Sequence, residues 1–208
     1  PTNKPLTIAA WVKTSAKDGT VLVRGAQAVG FALIITDSKP RMLMRVKGKT
    51  HDAVSSKTIG ADWTHIAGVL RPDGRMEVHV DGKLTGSVKN VPLPSGDPMI
   101  AMKIGCDDTH QLLSKPLAPF NGAMDEVVLF HRALSGDELK TLAKDAREVK
   151  GELVVRMSFE KGKARDSSGQ GNNGQFGAQT GLTTKGPFGQ AMVFKPGKKS
   201  ATPKRKHK

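Results

Sequence analysis

The chain has 208 residues with 33 Lys and Arg against 19 Asp and Glu, a net charge of +14 with His neutral. It holds one cysteine, so no disulfide can close within it, and no tyrosine, which excludes any mechanism needing a Tyr acid or base. No apolar run reaches membrane-spanning length, and residues 195–208 carry seven basic residues and no acid, which leaves the body only moderately basic.

Residues 1–5 are irregular, and LTIAAWVK at 6–13 is the first strand, rich in β-branched and aromatic side chains. Lys17-Asp18-Gly19 turns the chain into a second strand at 20–24. FALIIT at 31–36 and RMLMRVK at 41–47 form a hairpin around 37–40. In its second arm Met42, Met44 and Val46 alternate with Arg41, Leu43, Arg45 and Lys47, which gives that strand one wetter face. A short, weak strand at 51–57 precedes a hairpin of 63–71 and 75–81 through Pro72-Asp73-Gly74. Asp81-Gly82 then turns the chain into 83–88, and a further strand at 99–105 leads to a loop at 106–119.

FNGAMDEVVLFHRALSGDEL at 120–139 contains a turn, a strand and a helix start in one stretch. Asn121-Gly122 is the turn, because both residues tolerate positive φ. The strand at 124–130 is nearly all apolar, which implies burial on both faces; only Asp125-Glu126 break it, and strand periodicity puts these two acids on opposite faces. Ser135 as N-cap with Glu138 three residues on is a capping box, and Leu139, Leu142 and Ala143 give the helix, reaching about residue 144, one apolar face. A connector at 145–151, a strand at 153–159, a turn-rich loop at 164–174, a last strand at 189–194 and a solvated tail complete the chain. Short strands with turn signals at regular intervals predict an all-β antiparallel sandwich or barrel with one short helix.

LTIAAWVK, DWTHIAGVL at 62–70, MEVHVDGKL at 76–84 and FNGAMDEVVLFHRALSGDEL, in this order and spacing, resemble the laminin-G-like, pentraxin-related domains of the concanavalin A-like jelly-roll class. The resemblance covers roughly 6–144 and implies a jelly-roll β-sandwich. LVVRMSFEKGKARDSSGQGNNGQFG at 153–177 and GPFGQAMVF at 186–194 look like the opening third of the same domain type, displaced to the C-terminal side. Either the order is circularly permuted and 152–195 supplies the missing strands in cis, or a tandem array begins a second copy here. The first is favoured, because a lone piece of this length buries too little apolar surface to be stable. It implies one domain over 1–195 and a basic tail at 196–208; a strand-swapped dimer is the intermolecular version of the same exchange.

The loop around Asp166 offers side-chain and carbonyl oxygens that suit a hard cation, without the alternating acids and distant Glu of an EF-hand. Related domains often hold calcium here, so the resemblance implies a Ca²⁺ shared by Asp166, carbonyls near Gly171 and Asn172, and Asp125 or Glu126. The bland alternative is an Asx-turn loop that caps its own backbone. Asp107-Asp108 is a second acidic spot, read as solvated loop. Arg41, Arg45, Lys47 and His79 are the candidate ligand-binding set: they line a basic groove if the two hairpins share a face, and otherwise form a solvated face. His65 is expected to be a structural residue, and Trp11 and Trp63 to be buried in core strands. Of the phenylalanines, only Phe120, Phe176 and Phe188 lie near loops, which argues against a neutral-sugar platform; an anionic glycan gripped by Lys and Arg fits the charge better.

Catalytic constellations are absent from the pattern. Paired carboxylates at glycosidase spacing, HExxH, GxSxG and phosphate loops do not occur. The expectation is a non-catalytic recognition or adhesion module of an exported, multidomain protein, secreted or at the cell surface, which binds an acidic polysaccharide or an anionic protein surface. The alternatives are a jelly-roll carbohydrate-active enzyme with an atypical site and a structural spacer. The tail reads as a solvated terminus rather than a nucleic-acid site.

Overall fold

The computed structural model describes residues 3–25, 27–97, 100–106, 112–113, 117–177 and 180–195, with side chains given outside 180–182. Strand β1 (Leu6–Lys13) shows why the chain forms a layered sandwich. Leu6, Ile8, Ala10 and Val12 enter the main core, while Ala9 joins a second apolar cluster on the opposite face. A strand buried on both faces needs a layer on each side.

One layer is a five-stranded sheet in the order β5-β4-β3-β2-β9, made of β2 (Gly19–Gly25), β3 (Gly30–Thr36), β4 (Lys39–Val46), β5 (Lys49–Val54) and the two-residue β9 (Lys103–Ile104). The larger sheet runs β12-β13-β10-β1-β6-β7-β8, from β6 (Thr64–Leu70), β7 (Met76–Val80), β8 (Lys83–Val88), β10 (Gly122–Phe130), β12 (Thr180–Gly186) and β13 (Gly189–Phe194). Its eighth strand, β11 (Leu153–Met157), also pairs with β10. Every strand pair is antiparallel. The architecture is the expected antiparallel β-sandwich with one short helix, consistent with a jelly roll.

Helix α1 (Gly136–Lys144) is closed at its N-terminus by the expected capping box: Ser135 Oγ accepts from Glu138 N at 3.2 Å and Glu138 Oε2 from Ser135 N at 2.8 Å. Its Leu139 and Leu142 cover Ala9, Ala67, Val69, Val128 and Phe130 on the outer face of the larger sheet.

The segment after α1 completes that sheet along a single strand. One edge of β10 is shared: Gly122 to Met124 pair with β13, and Val127 to Phe130 with β11. Asp125 and Glu126 fall in the gap between the two. Opposite them the register with β1 slips between Ala9 and Trp11, and Glu126 takes φ +47. This β-bulge corrects the expectation that the two acids face opposite ways. Met124 and Val127 both point into the main core, so the extra residue leaves Asp125 and Glu126 together on the outer face. Two further corrections concern strands. The strand expected at 99–105 pairs only at Lys103–Ile104 (Met99 lies outside the described residues), and β12 carried no recognisable pattern.

Candidate functional site

The smaller sheet ends at β9, and there the inner face of the larger sheet lines a cleft beside β11. Leu129, Val155, Met157, Phe159 and Phe194 there face Met102 and Ile104 across a cleft of about 480 Å³. That lies within the roughly 300–1,000 Å³ common for small-ligand sites. The loop at 164–177 forms one wall and brings Asn172, Asn173, Gln175 and the exposed Phe176 to it; Arg24 and Cys106 also line it.

Asp166 is the organiser of that wall. Its Oδ1 accepts from the backbone N–H groups of Arg156 (3.0 Å) and Ser168 (2.9 Å), and its Oδ2 from Ser168 Oγ and Asn172 N, both at 2.8 Å. Asn173 Oδ1 accepts from Asp166 N at 3.0 Å, and Asn172 Nδ2 donates to Val154 O at 2.8 Å, so the loop is tied to β11 at several points. Burial works against the Asp166 charge, but these donors outweigh it and hold the carboxyl below its ordinary value.

On the other side of Phe176 lies a shallow groove of about 490 Å³, lined by Lys163, Ala164, Arg165, Asn173, Gly174 and Phe176. Four of these residues, Ala164, Asn173, Gly174 and Phe176, also line the cleft, so the two depressions meet at one aromatic ridge. Lys163 and Arg165 are exposed. Of the nine described arginines, Arg165 alone has a guanidinium with no ion pair and no hydrogen bond among the described residues. Arg24, Arg41, Arg71, Arg75, Arg132 and Arg147 are paired with acids, while Arg45 and Arg156 donate to backbone carbonyls.

The expected sites are placed differently. Arg41 is paired with Asp52, Arg45 donates to Gln27 O at 2.6 Å and Leu112 O at 2.7 Å, and Lys47 sits in the turn after β4 with φ +50. His79 is buried in the other sheet, its Nε2 2.9 Å from Glu77 Oε2. Glu77 in turn is held by Arg71 at 2.6 Å and Arg75 at 3.0 Å. The four residues form no common groove, because their two hairpins lie in different layers.

A calcium ion does not fit the proposed ligand set. A carboxylate has about four acceptor positions, and all four on Asp166 face donors. The Gly171 carbonyl accepts from Asn173 N at 2.9 Å, and Asn172 is tied to β11 through its Nδ2. Asp125 is turned to the β12–β13 turn, accepting from Phe188 N at 3.4 Å, and a strand intervenes: Met157 pairs with Val127 on one side and Asp166 on the other. No cluster of three or more His, Cys, Asp or Glu suited to a metal occurs among the described residues. The geometry is that of the Asx-turn loop. Asp107-Asp108, His110 and the tail at 196–208 lie outside the described residues.

Asp125 and Glu126 are perturbed without lining the cleft. Burial raises Asp125 to about 6; burial, with Asp125 beside it, raises Glu126 to about 7. Glu126 Oε2 stands 3.6 Å from Arg156 Nε, too far for a hydrogen bond, and both atoms are buried without a partner. His65 is buried, with its pKa lowered to about 4 by burial, and packs edge-on to Trp11 at 5.7 Å. Both tryptophans are half-buried rather than core residues. Lys163, Arg165, Arg24 and Met102 were missed as site residues; the exposed loop position of Phe176 was the one legible signal.

The family model described as the concanavalin A-like lectin/glucanases superfamily, in its laminin G branch, matches residues 1–140. The chain belongs to that superfamily. No curated protein sequence matches it. Among solved structures, a candidate carbohydrate binding protein from Bacteroides ovatus superposes with TM-score 0.59 at 15% identity, over 93% of this chain and 52% of that one. This concanavalin A-like chain therefore spans about half the length of the Bacteroides protein. The superposition also extends well beyond residue 140, into the segment that forms β11 to β13. Domain 4 of an extracellular arabinanase from Geobacillus stearothermophilus, solved with arabinotriose, gives TM-score 0.54 at 21% identity over 68% and 67%. Domains LG4-5 of the mouse laminin alpha1 chain give 0.51 at 19% over 65% and 41%. At these identities the likeness is one of fold.

Proposed function

We propose that the chain is a carbohydrate-recognition module, that its site is the cleft and groove joined at Phe176, and that its ligand is an acidic polysaccharide. The observation that carries this reading is the uncommitted Arg165, beside Lys163 and next to an exposed aromatic face. A planar guanidinium with free donors suits carboxylate or sulfate, and an exposed ring suits the apolar face of a sugar. The amides of Asn173 and Gln175 and the apolar cleft floor match the usual make-up of such sites, a hydrophobic lining with a few polar groups. Support from likeness is twofold: a carbohydrate-binding description for the Bacteroides relative and bound arabinotriose in the arabinanase domain. The extracellular arabinanase also supports an extracytoplasmic location, as one domain of a larger protein.

Retention in affinity gels containing acidic or neutral polysaccharide tests the reading. The wild-type chain should be retarded by acidic gels and released as salt rises, since exposed charge pairs are screened. The double variant Phe176→Ala, Arg165→Gln should run freely at unchanged Tm. Retention of the double variant equal to wild type would remove the site; no retention of wild type in any gel would remove the function.

A further inference from the structure

The two depressions at Phe176 offer different chemistry. In the cleft the floor is Met102, Ile104, Met157 and Phe159, and its cations are engaged. Arg24 is paired with Asp97 at 3.0 Å and donates to Ile100 O at 3.3 Å, and Lys103 has a partner of its own. An anionic group placed there would lose hydration with no free cation among the described lining residues to receive it, which is costly. In the groove the reverse holds. Lys163 and Arg165 are exposed, have no ion pair or side-chain hydrogen bond among the described residues, and stand two positions apart. Lys163 is extended, with φ −117 and ψ 143, a conformation in which alternate side chains project to the same side.

The shared lining makes the two depressions neighbouring subsites of one ligand. On the carbohydrate reading above, we propose that the site recognises a chain whose negative charge falls on alternate units. An uncharged sugar ring occupies the cleft, the chain crosses Phe176, and the next, acidic unit meets Lys163 and Arg165 in the groove. The shortest ligand that fills both subsites is then a disaccharide with one anionic group. Hydrogen bonding in the cleft falls to the amides not already used: Asn172 Nδ2 and Asn173 Oδ1 are occupied, which leaves Asn172 Oδ1, Asn173 Nδ2 and the Gln175 amide for hydroxyl or acylamino groups.

The test compares two acidic oligosaccharides of equal length by titration calorimetry on the full chain at one ionic strength. Hyaluronan fragments carry one carboxylate per two sugar units, and oligogalacturonate carries one per unit. Hyaluronan fragments should bind at least fivefold more tightly than oligogalacturonate despite their lower charge. Arg165→Gln should weaken that binding about tenfold without shifting Tm, because the exposed guanidinium has no ion pair or hydrogen bond among the described residues. If oligogalacturonate binds as tightly or more tightly, the alternation is overturned while the acidic-glycan reading stands. If neither binds, the acidic-glycan reading itself fails and the alternation falls with it.

Discussion

Glu126 occupies the bulged position of β10 with φ +47, its carboxylate buried and 3.6 Å from an arginine nitrogen it does not hydrogen-bond. A carboxylate so placed binds its proton more tightly in the folded chain than in the unfolded one. Glu126 is raised to about 7 from 4.5 and Asp125 to about 6 from 3.8, by burial first in both cases. Between these limits the folded state holds more protons, so stability falls as pH rises. It is greatest below about pH 4, declines up to about pH 7 and is level above, as far as these two groups decide it. Glu126→Gln keeps the shape and removes the charge. The variant should melt about 3–6 °C above wild type at pH 8, with the gap closing toward pH 4. Calorimetric scans at both pH values check this; a constant gap, or a lower Tm for the variant at pH 8, would show that Arg156 neutralises Glu126 after all.

The elements that were legible in the sequence are those whose signals are local. The helix followed from Ser135 and Glu138, and β6 and β7 followed from the turn residues between them, because caps and tight turns are set by neighbouring side chains. The Asp125-Glu126 bulge was not legible, since it depends on which strands flank β10, and β11 and β13 come from later in the chain. The cleft failed for the same reason: it exists only where β9 stops short and a loop 60 residues away in sequence, at 164–177, folds beside it. The loop itself was open to two readings. Its oxygens attract either a cation or backbone donors, and the choice depends on β11 presenting Arg156 N and Val154 O. With the Asp166 carboxylate saturated by donors, addition of a strong chelator should leave Tm unchanged, and added Ca²⁺ should not raise it. Asp166→Ala should cost on the order of 3 kcal/mol, because several buried donors lose their acceptor at once. A chelator-induced fall of several degrees would restore the metal.

At the scale of the molecule, the segment beyond α1 is joined to the rest through β10 more than through its own connector. β11 and β13 both pair with β10, Phe194 stacks edge-on with Phe120 at 6.0 Å, and Val155 and Met157 enter the main core. The connector adds Ala146 and Val149, buried in the second apolar cluster, and Arg132 donates to Lys150 O and Gly151 O on an exposed surface. Sheet pairing of this kind requires proximity, not a particular chain order, so the segment should dock equally well when attached elsewhere. The Lys4–Glu152 ion pair, at 3.4 Å, shows that the start of β1 already lies beside the start of β11. The end of β13 lies at the far end of β1, since Phe194 pairs with Gly122 and Ala123 with Lys13. A new join from Lys195 to Lys4 must therefore run back along an eight-residue strand, about 25 Å, which a flexible linker of about 15 residues spans with slack. A chain ordered 152–195, linker, 4–150 should fold to the same sandwich, with Tm lowered by no more than about 5 °C for the longer loop and the cut connector. Amide spectra that superpose for the β10, β11 and β13 residues of both chains would meet the expectation. A permuted chain that stays unfolded, or folds only as a dimer, would mean that residues 145–151 guide the docking and that order, as well as pairing, specifies the fold.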